Sequence, residues 1–154
     1  MERVVKKLIN DNKTISTMES CTGGALANAI TNIPDASRVI KFSAVTYSNE
    51  YKIKMGVDSE LINKYTVYSM VVAEDMAKKI SEYTDSNYGV GVTGKLKKSD
   101  PDNPSGEDDV VFLSIYDRDN NMFYDTEIKL PFDDRIDNKN EIIEIFIDNF
   151  LKIV

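Results

Sequence analysis

The chain has 154 residues, 42% of them hydrophobic, so it is long and apolar enough to bury one real core and too apolar to be disordered. Its 26 acidic and 19 basic residues leave a net charge of −7, which argues against broad binding to DNA or an anionic membrane, where counterion release needs a basic face. With no histidine and one cysteine, a single chain can hold no Ser-His-Asp triad, Cys-His dyad, HExxH zinc site, intrachain disulfide or CxxC metal knuckle.

Residues 1–12 predict a short amphipathic helix, with Val4, Val5, Leu8 and Ile9 at spacings of three and four. Thr14–Met18 is short and β-branched and reads as a strand. It runs into Glu19-Ser20-Cys21-Thr22-Gly23-Gly24 and a small-residue helix to about Ile30, ended by Asn32, Pro34 and Asp35. Lys41–Ser48 alternates like a second strand. A helical stretch around Lys52 ends near Gly56, and Ser59–Lys64 gives another helical turn. Ser69 is placed as the N-cap of a helix to about Tyr83, with Val72, Met76 and Ile80 on one face. Tyr88–Val92 reads as an apolar central strand. Val110–Tyr116 and Met122–Leu130 flank Asp117–Asn121, a hairpin turn. From about Lys139 to the end, Ile142, Ile143, Phe146, Ile147 and Phe150 make a wide apolar helix face.

Strands alternating with helices early, and a hairpin late, predict a three-layer α/β/α sandwich on a mixed, mostly parallel sheet, in one domain over 1–154. The one break in composition is Ser99–Asp109, read as a solvated connection in preference to an active-site lid. The N-terminal stretch has no long apolar core, and no apolar run approaches the roughly 18 residues of a membrane span. The expectation is a soluble, cytoplasmic protein with neither nucleic acid nor membrane as partner.

Ser20 sits where the first strand turns into a helix. The first N–H groups of a helix are free and carry the positive end of its dipole, and the glycines let a ligand approach the backbone. Such a turn binds a phosphate, stabilises an oxyanion, or serves only as a cap packed on the sheet. The second cluster, Thr46-Tyr47-Ser48-Asn49-Glu50-Tyr51-Lys52, follows the next strand. Parallel strands deliver their C-terminal ends to one crevice, where Ser20, Tyr47 and Lys52 are able to meet. Without histidine a serine nucleophile needs another base, and a desolvated lysine is the obvious candidate, provided its pKa falls from about 10.4. By spacing alone the plainer reading is preferred, with Lys52 at the surface and Tyr47 in the core. Cys21 is a rival nucleophile, since a helix N-terminus lowers a thiol pKa, although a buried structural role is favoured. Lys95, Lys97 and Lys98 either grip a phosphate or are solvated, and Glu19 and Glu50 either orient Lys52 or cap and solvate.

Glu19-Ser20-Cys21-Thr22-Gly23-Gly24, then Thr46-Tyr47-Ser48-Asn49-Glu50 with Lys52, Gly56-Val57, Val67, Ser69 and Gly91-Val92-Thr93-Gly94, in that order, resemble the CinA C-terminal domain family. That family includes the nicotinamide-nucleotide amidases. The resemblance covers essentially the whole chain and implies a stand-alone form without the extra N-terminal domain of longer relatives. It implies an α/β/α sandwich, and a hydrolase that removes ammonia from the carboxamide of nicotinamide mononucleotide to leave nicotinic acid mononucleotide. Carried over, Ser20 is the nucleophile, Lys52 its base and Tyr47 a hydroxyl assisting proton transfer or positioning. Substrate binding falls to Cys21, Thr22, Gly23, Gly24, Asn49, Thr93, Gly94, Arg135 and Lys139. No metal or organic cofactor is implied. The implied partners are a small-molecule nucleotide substrate and further copies of the chain, as a homodimer or larger homo-oligomer.

Two departures from the family pattern bear on the substrate. Lys95–Asp102 stands where the family usually has a glycine- and proline-rich loop beside the active site. Asp134-Arg135 matches the family's Asp-Arg pair, but the second arginine, four residues on, is Lys139, which keeps the charge and lacks the planar fork. The departures motivate an alternative, a nucleotide-binding module with lost or altered amidase activity. If Ser20 is the nucleophile, its own helix supplies the oxyanion donors, and phosphate is gripped elsewhere, by Arg135, Lys139 or the lysines after Gly94.

Overall fold

The computed structural model describes residues 1–97 and 104–154. Its elements run α1 (Glu2–Asn10), β1 (Ile15–Glu19), α2 (Ala25–Thr31), β2 (Ser43–Val45), α3 (Asn49–Lys54), α4 (Ser59–Tyr65), α5 (Met70–Thr84), β3 (Tyr88–Gly94), β4 (Val110–Asp117), β5 (Met122–Lys129) and α6 (Arg135–Ile153). The strands form one sheet in the order β2-β1-β3-β4-β5. β1 pairs in parallel with β2 and β3, whereas β4 is antiparallel to both β3 and β5. Only β4 opposes the rest, the mixed, mostly parallel sheet expected from the element order. Helices cover both faces, which is why β1 and β3 are buried along their whole length. Against one face α1, α2 and α6 close a core around Leu8, Ile30, Val90, Leu113, Phe146 and Phe150. On the other, Met18 and Ala44 pack with Val57, Ile62, Val72, Met76 and Ile80 from the α3–α5 segment. Among the described residues no helix is long and apolar enough to cross a membrane.

Capping groups move the element ends away from the expected ones. β2 is shorter than Lys41–Ser48 because Ser48 leaves the strand to cap α3, accepting from the Tyr51 N–H. α6 begins four residues before Lys139, because Asp134 accepts from the Ile136 and Asp137 N–H groups. That earlier start puts Arg135 and Lys139 one turn apart on the same helix. Ser69 precedes α5, but its hydroxyl donates to the Thr66 carbonyl instead of capping the helix. A 3₁₀ turn at Ala36–Arg38 has no counterpart in the apolar periodicity.

The ends of β1, β2 and β3 reach the same edge of the sheet because the three strands are parallel, and α5 sets the height of β3 within it. A Cβ on Gly91 would lie 2.1 Å from the Ala73 carbonyl oxygen of α5, a contact that no side-chain rotation relieves. Gly91→Ala should therefore lower stability by about 3 kcal/mol, the upper part of the range for overpacking. The check is a urea titration, with a lower midpoint at unchanged slope.

Candidate active site

The hydrogen-bond ladder around β1 continues one step past the strands. The Thr46 N–H donates to the Glu19 carbonyl at 2.8 Å, and the Ser20 N–H to the Val92 carbonyl at 2.9 Å. Side chains alternate across a strand, so Ser20 and Thr46 fall on the face of Met18 and Ala44, the face that α3–α5 cover. α3 starts directly after this step and carries Lys52 back over it. The Lys52 Nζ lies 3.0 Å from Ser20 Oγ and donates to the Thr46 carbonyl at 2.8 Å. Lys52 is only 2% exposed and Ser20 only 8%. The plainer expectation of a surface lysine is thereby overturned: Lys52 is the buried residue of α3, on the side turned to the strand ends, whereas Lys54 of the same helix is exposed.

Tyr47, one residue past Thr46, falls on the opposite face by the same alternation. It is 65% exposed, so it is not a core aromatic, and its hydroxyl accepts from Arg135 Nη2 at 3.4 Å. The structure brings Ser20 and Lys52 together and places the Tyr47 hydroxyl with Arg135. Arg135 also donates through Nη1 to the Leu96 carbonyl at 3.4 Å. One turn on, the Lys139 ammonium lies over Gly23, 3.5 Å from where a Cβ would stand. Two cations of α6 thus border the turn that follows Ser20.

Glu19 occupies the start of α2. Its carboxylate, 1% exposed, accepts from the Gly24 and Leu26 N–H groups at 3.1 Å each, from Ala27 N–H at 2.8 Å and from the Thr17 hydroxyl at 3.0 Å. Of the open choices for Glu19, the structure selects capping. Gly24 adopts a φ of +90°, which turns these N–H groups onto Glu19. The Gly23 N–H donates to the Ser20 carbonyl and the Ala25 N–H to that of Thr22. Between 20 and 27, the Cys21 and Thr22 N–H groups are the ones without an oxygen acceptor among the described residues. A phosphate at the helix start would have to displace a buried carboxylate, whereas an oxyanion beside Ser20 would not. Glu50 does not orient Lys52; it pairs with Lys54 at the surface of α3.

The other candidates are placed as follows. Cys21 is buried, and burial pushes its thiol up to about 12 in spite of the nearby Lys52. Thr22 is fully buried, and Asn49 opens α3, half-buried. Thr93 is buried with its hydroxyl donating to the Val67 carbonyl at 2.7 Å. Gly94 presses on β4, where a Cβ would stand 2.5 Å from the Val110 carbonyl oxygen. Both residues are thus engaged in holding the end of β3. Lys95 is buried, donates to Asp108 at 3.0 Å and to the Gly106 carbonyl at 3.4 Å, and lies over the Tyr68 ring. Lys97 pairs with Asp133 at 3.2 Å. The lysines after Gly94 are therefore tied to carboxylates, except Lys98, which with residues 99–103 of the expected loop lies outside the described residues. Sequence reasoning missed the part of Thr46, whose carbonyl anchors Lys52; the pairing of parallel strand ends was the signal that could have found it. Among the described residues no group of three or more His, Cys, Asp and Glu could hold a metal ion.

Fold and site define an α/β/α protein with a buried serine–lysine pair where its parallel strands end. The pattern of the CinA C-terminal domain matches residues 1–153, and the chain belongs to that family. It is 38% identical over 117 residues to a CinA-like protein of Flavobacterium psychrophilum, covering 75% of this chain and 28% of that protein. It is 44% identical over 118 residues to a protein of Clostridium botulinum strain Langeland named as competence-damage inducible, again covering 75% of this chain and 28% of the relative. The chain thus spans less than a third of the length of these curated relatives. A crystal structure of a CinA superfamily protein from Escherichia coli superposes with a TM-score of 0.87 at 22% identity, covering 99% of this chain and 87% of that one. A competence/damage inducible protein from Agrobacterium tumefaciens gives 0.81 at 28% identity, covering 96% and 94%.

A buried thiol with a pKa near 12 is neither nucleophilic nor reachable at mildly alkaline pH. Cys21 should therefore resist a disulfide-exchange reagent in the folded chain and react fully in urea. Rapid labelling of the folded chain would return Cys21 to the candidate nucleophiles.

Proposed function

We propose that this chain is a serine/lysine amidohydrolase that converts nicotinamide mononucleotide to nicotinic acid mononucleotide and ammonia. The observation that carries the reading is the buried Lys52 amine 3.0 Å from the Ser20 hydroxyl, in a chain without histidine. Burial disfavours a charged amine and so favours the form able to take a proton. In this reading Ser20 Oγ attacks the carboxamide carbon while its proton passes to Lys52. The oxyanion that forms meets the Cys21 and Thr22 N–H groups. Lys52 then returns the proton to the departing nitrogen, which leaves as ammonia. A water, deprotonated by Lys52, cleaves the resulting ester and restores Ser20. Arg135 and Lys139, two cations one turn apart on α6, with Lys139 beside Gly23, are the groups for the 5′-phosphate, and Tyr47 is carried on Arg135.

The rival reading is a nucleotide-binding module without turnover. It draws on the same cations but would use Ser20–Gly24 as its phosphate cradle, and Glu19 already fills the start of that helix. Oligomerisation remains part of the proposal, with light scattering at micromolar concentration expected to give a dimer or larger particle and a strict monomer excluding it.

Ammonia release from the mononucleotide, its riboside and the dinucleotide tests the reading. The mononucleotide should be turned over, with a rate that rises with pH as Lys52 loses its proton. Lys52→Arg should abolish turnover with the fold intact, since arginine stays protonated. Arg135→Ala should raise KM for the mononucleotide about ten- to hundredfold and leave the riboside nearly unaffected. Folded protein inactive on all three compounds, or Lys52→Arg at the wild-type rate, would overturn the assignment.

A further inference from the structure

Buried polar side chains nearly always find a hydrogen-bond partner, so those that do not call for an explanation. Among the described residues two buried side-chain oxygens have none, Thr22 Oγ1 and Thr46 Oγ1. Thr22 lies in the turn after Ser20. Thr46 stands in line with Ser20 across the strand ladder, its side chain on the same face, and its carbonyl oxygen is 2.8 Å from the Lys52 amine. It is 1% exposed, so solvent does not satisfy its hydroxyl. We infer that the Thr46 hydroxyl is a positioning group for Lys52, the acceptor toward which the lysine turns once it has taken the proton of Ser20.

This inference rests on the serine/lysine reading, and the proton balance of that reading is what gives the hydroxyl its task. As the Ser20 O–H bond breaks, an N–H bond forms on Lys52, and the amine becomes an ammonium with one more donor. At the same moment Ser20 Oγ bonds to the substrate carbon and becomes a poorer acceptor. The ammonium therefore gains a donor whose nearest acceptor, Ser20 Oγ, is weakened in the same step. The Thr46 carbonyl holds one N–H; the lone pairs of its hydroxyl, unengaged at rest, receive another. An interaction that strengthens as the proton is transferred lowers the barrier without tightening substrate binding. Several neighbouring titratable and charged groups among the described residues are engaged elsewhere. Cys21 is a neutral thiol, the Glu19 carboxylate is bound to the start of α2, Arg135 lies with Tyr47, and Glu50 and Lys54 pair at the surface.

Thr46→Val removes the hydroxyl and keeps the branched shape and the carbonyl, and Thr46→Ser restores a hydroxyl. Three readouts separate the roles: the urea midpoint, the titration of Lys52 followed by NMR of its side-chain carbon assigned against Lys52→Arg, and kcat with KM at a pH above the titration. For Thr46→Val the expected results are an unchanged or higher urea midpoint, a Lys52 titration about one pH unit lower, and kcat about tenfold lower at unchanged KM. Thr46→Ser should return the titration and kcat to near wild type. If Thr46→Val leaves the Lys52 titration in place, the inference is overturned, whether or not stability falls. The titration needs no substrate. A chain that turns over no nucleotide yet shows the shift would refute the amidase and leave the hydroxyl–lysine contact standing; turnover without the shift would do the reverse.

Discussion

A buried amine is the constraint around which the rest of this chain is arranged. Lys52 is 2% exposed, and such a group is tolerated only when its donors are met and its charge is transient or compensated. Ser20 Oγ and the Thr46 carbonyl meet it, and both stand where two adjacent parallel strands end. For α3 to bring the amine there, it has to begin immediately after β2, which the Ser48 cap ensures. β1 and β2 have to end in register, which their ladder fixes, and α5 has to lie directly on β3, which Gly89 and Gly91 permit.

Charge is divided between the two sides of the strand ends. On the α2 side the Glu19 carboxylate satisfies the first N–H groups of the helix and spends its dipole internally. The turn is thereby rigid and already balanced, and the Cys21 and Thr22 N–H groups next to Ser20 are left over. The cations of α6 take the outer position instead, with Arg135 against Tyr47 and Lys139 over Gly23. Ser20 and the cations of α6 are thus kept apart, the separation that the proposed substrate, with a carboxamide at one end and a phosphate at the other, would require. The lysines of the segment after β3 serve the fold, with Lys95 clamping Gly106 and Asp108 beneath Tyr68.

Elements governed by periodicity were legible in the sequence. β1, β3 and α5 carry runs whose period alone decides their conformation, and the layer order followed from their alternation. Boundaries set by one side chain were not: Ser48 shortens β2 and Asp134 advances α6, and each acts through a local hydrogen bond that the apolar pattern does not register. Ser20 and Lys52 were legible as types of residue and by resemblance, but not by burial, since a lysine seven residues past a strand reads as exposed. Tyr47 was misplaced for the converse reason, an aromatic read as core that lies at 65% exposure. Lys95 was misread because its partner Asp108 is 13 residues away, beyond any short-range pattern.

The account stands or falls on Ser20 as a nucleophile that is transiently acylated. The direct measurement is interception: the protein is incubated with the mononucleotide in the presence of hydroxylamine, and is also acid-quenched and digested for mass spectrometry. The account predicts a hydroxamate of the pyridine nucleotide formed at the expense of the acid, and an acyl adduct on the peptide containing Ser20. Ammonia release with no hydroxamate at any hydroxylamine concentration and an unmodified Ser20 peptide, or an adduct on Cys21 in its place, would contradict it.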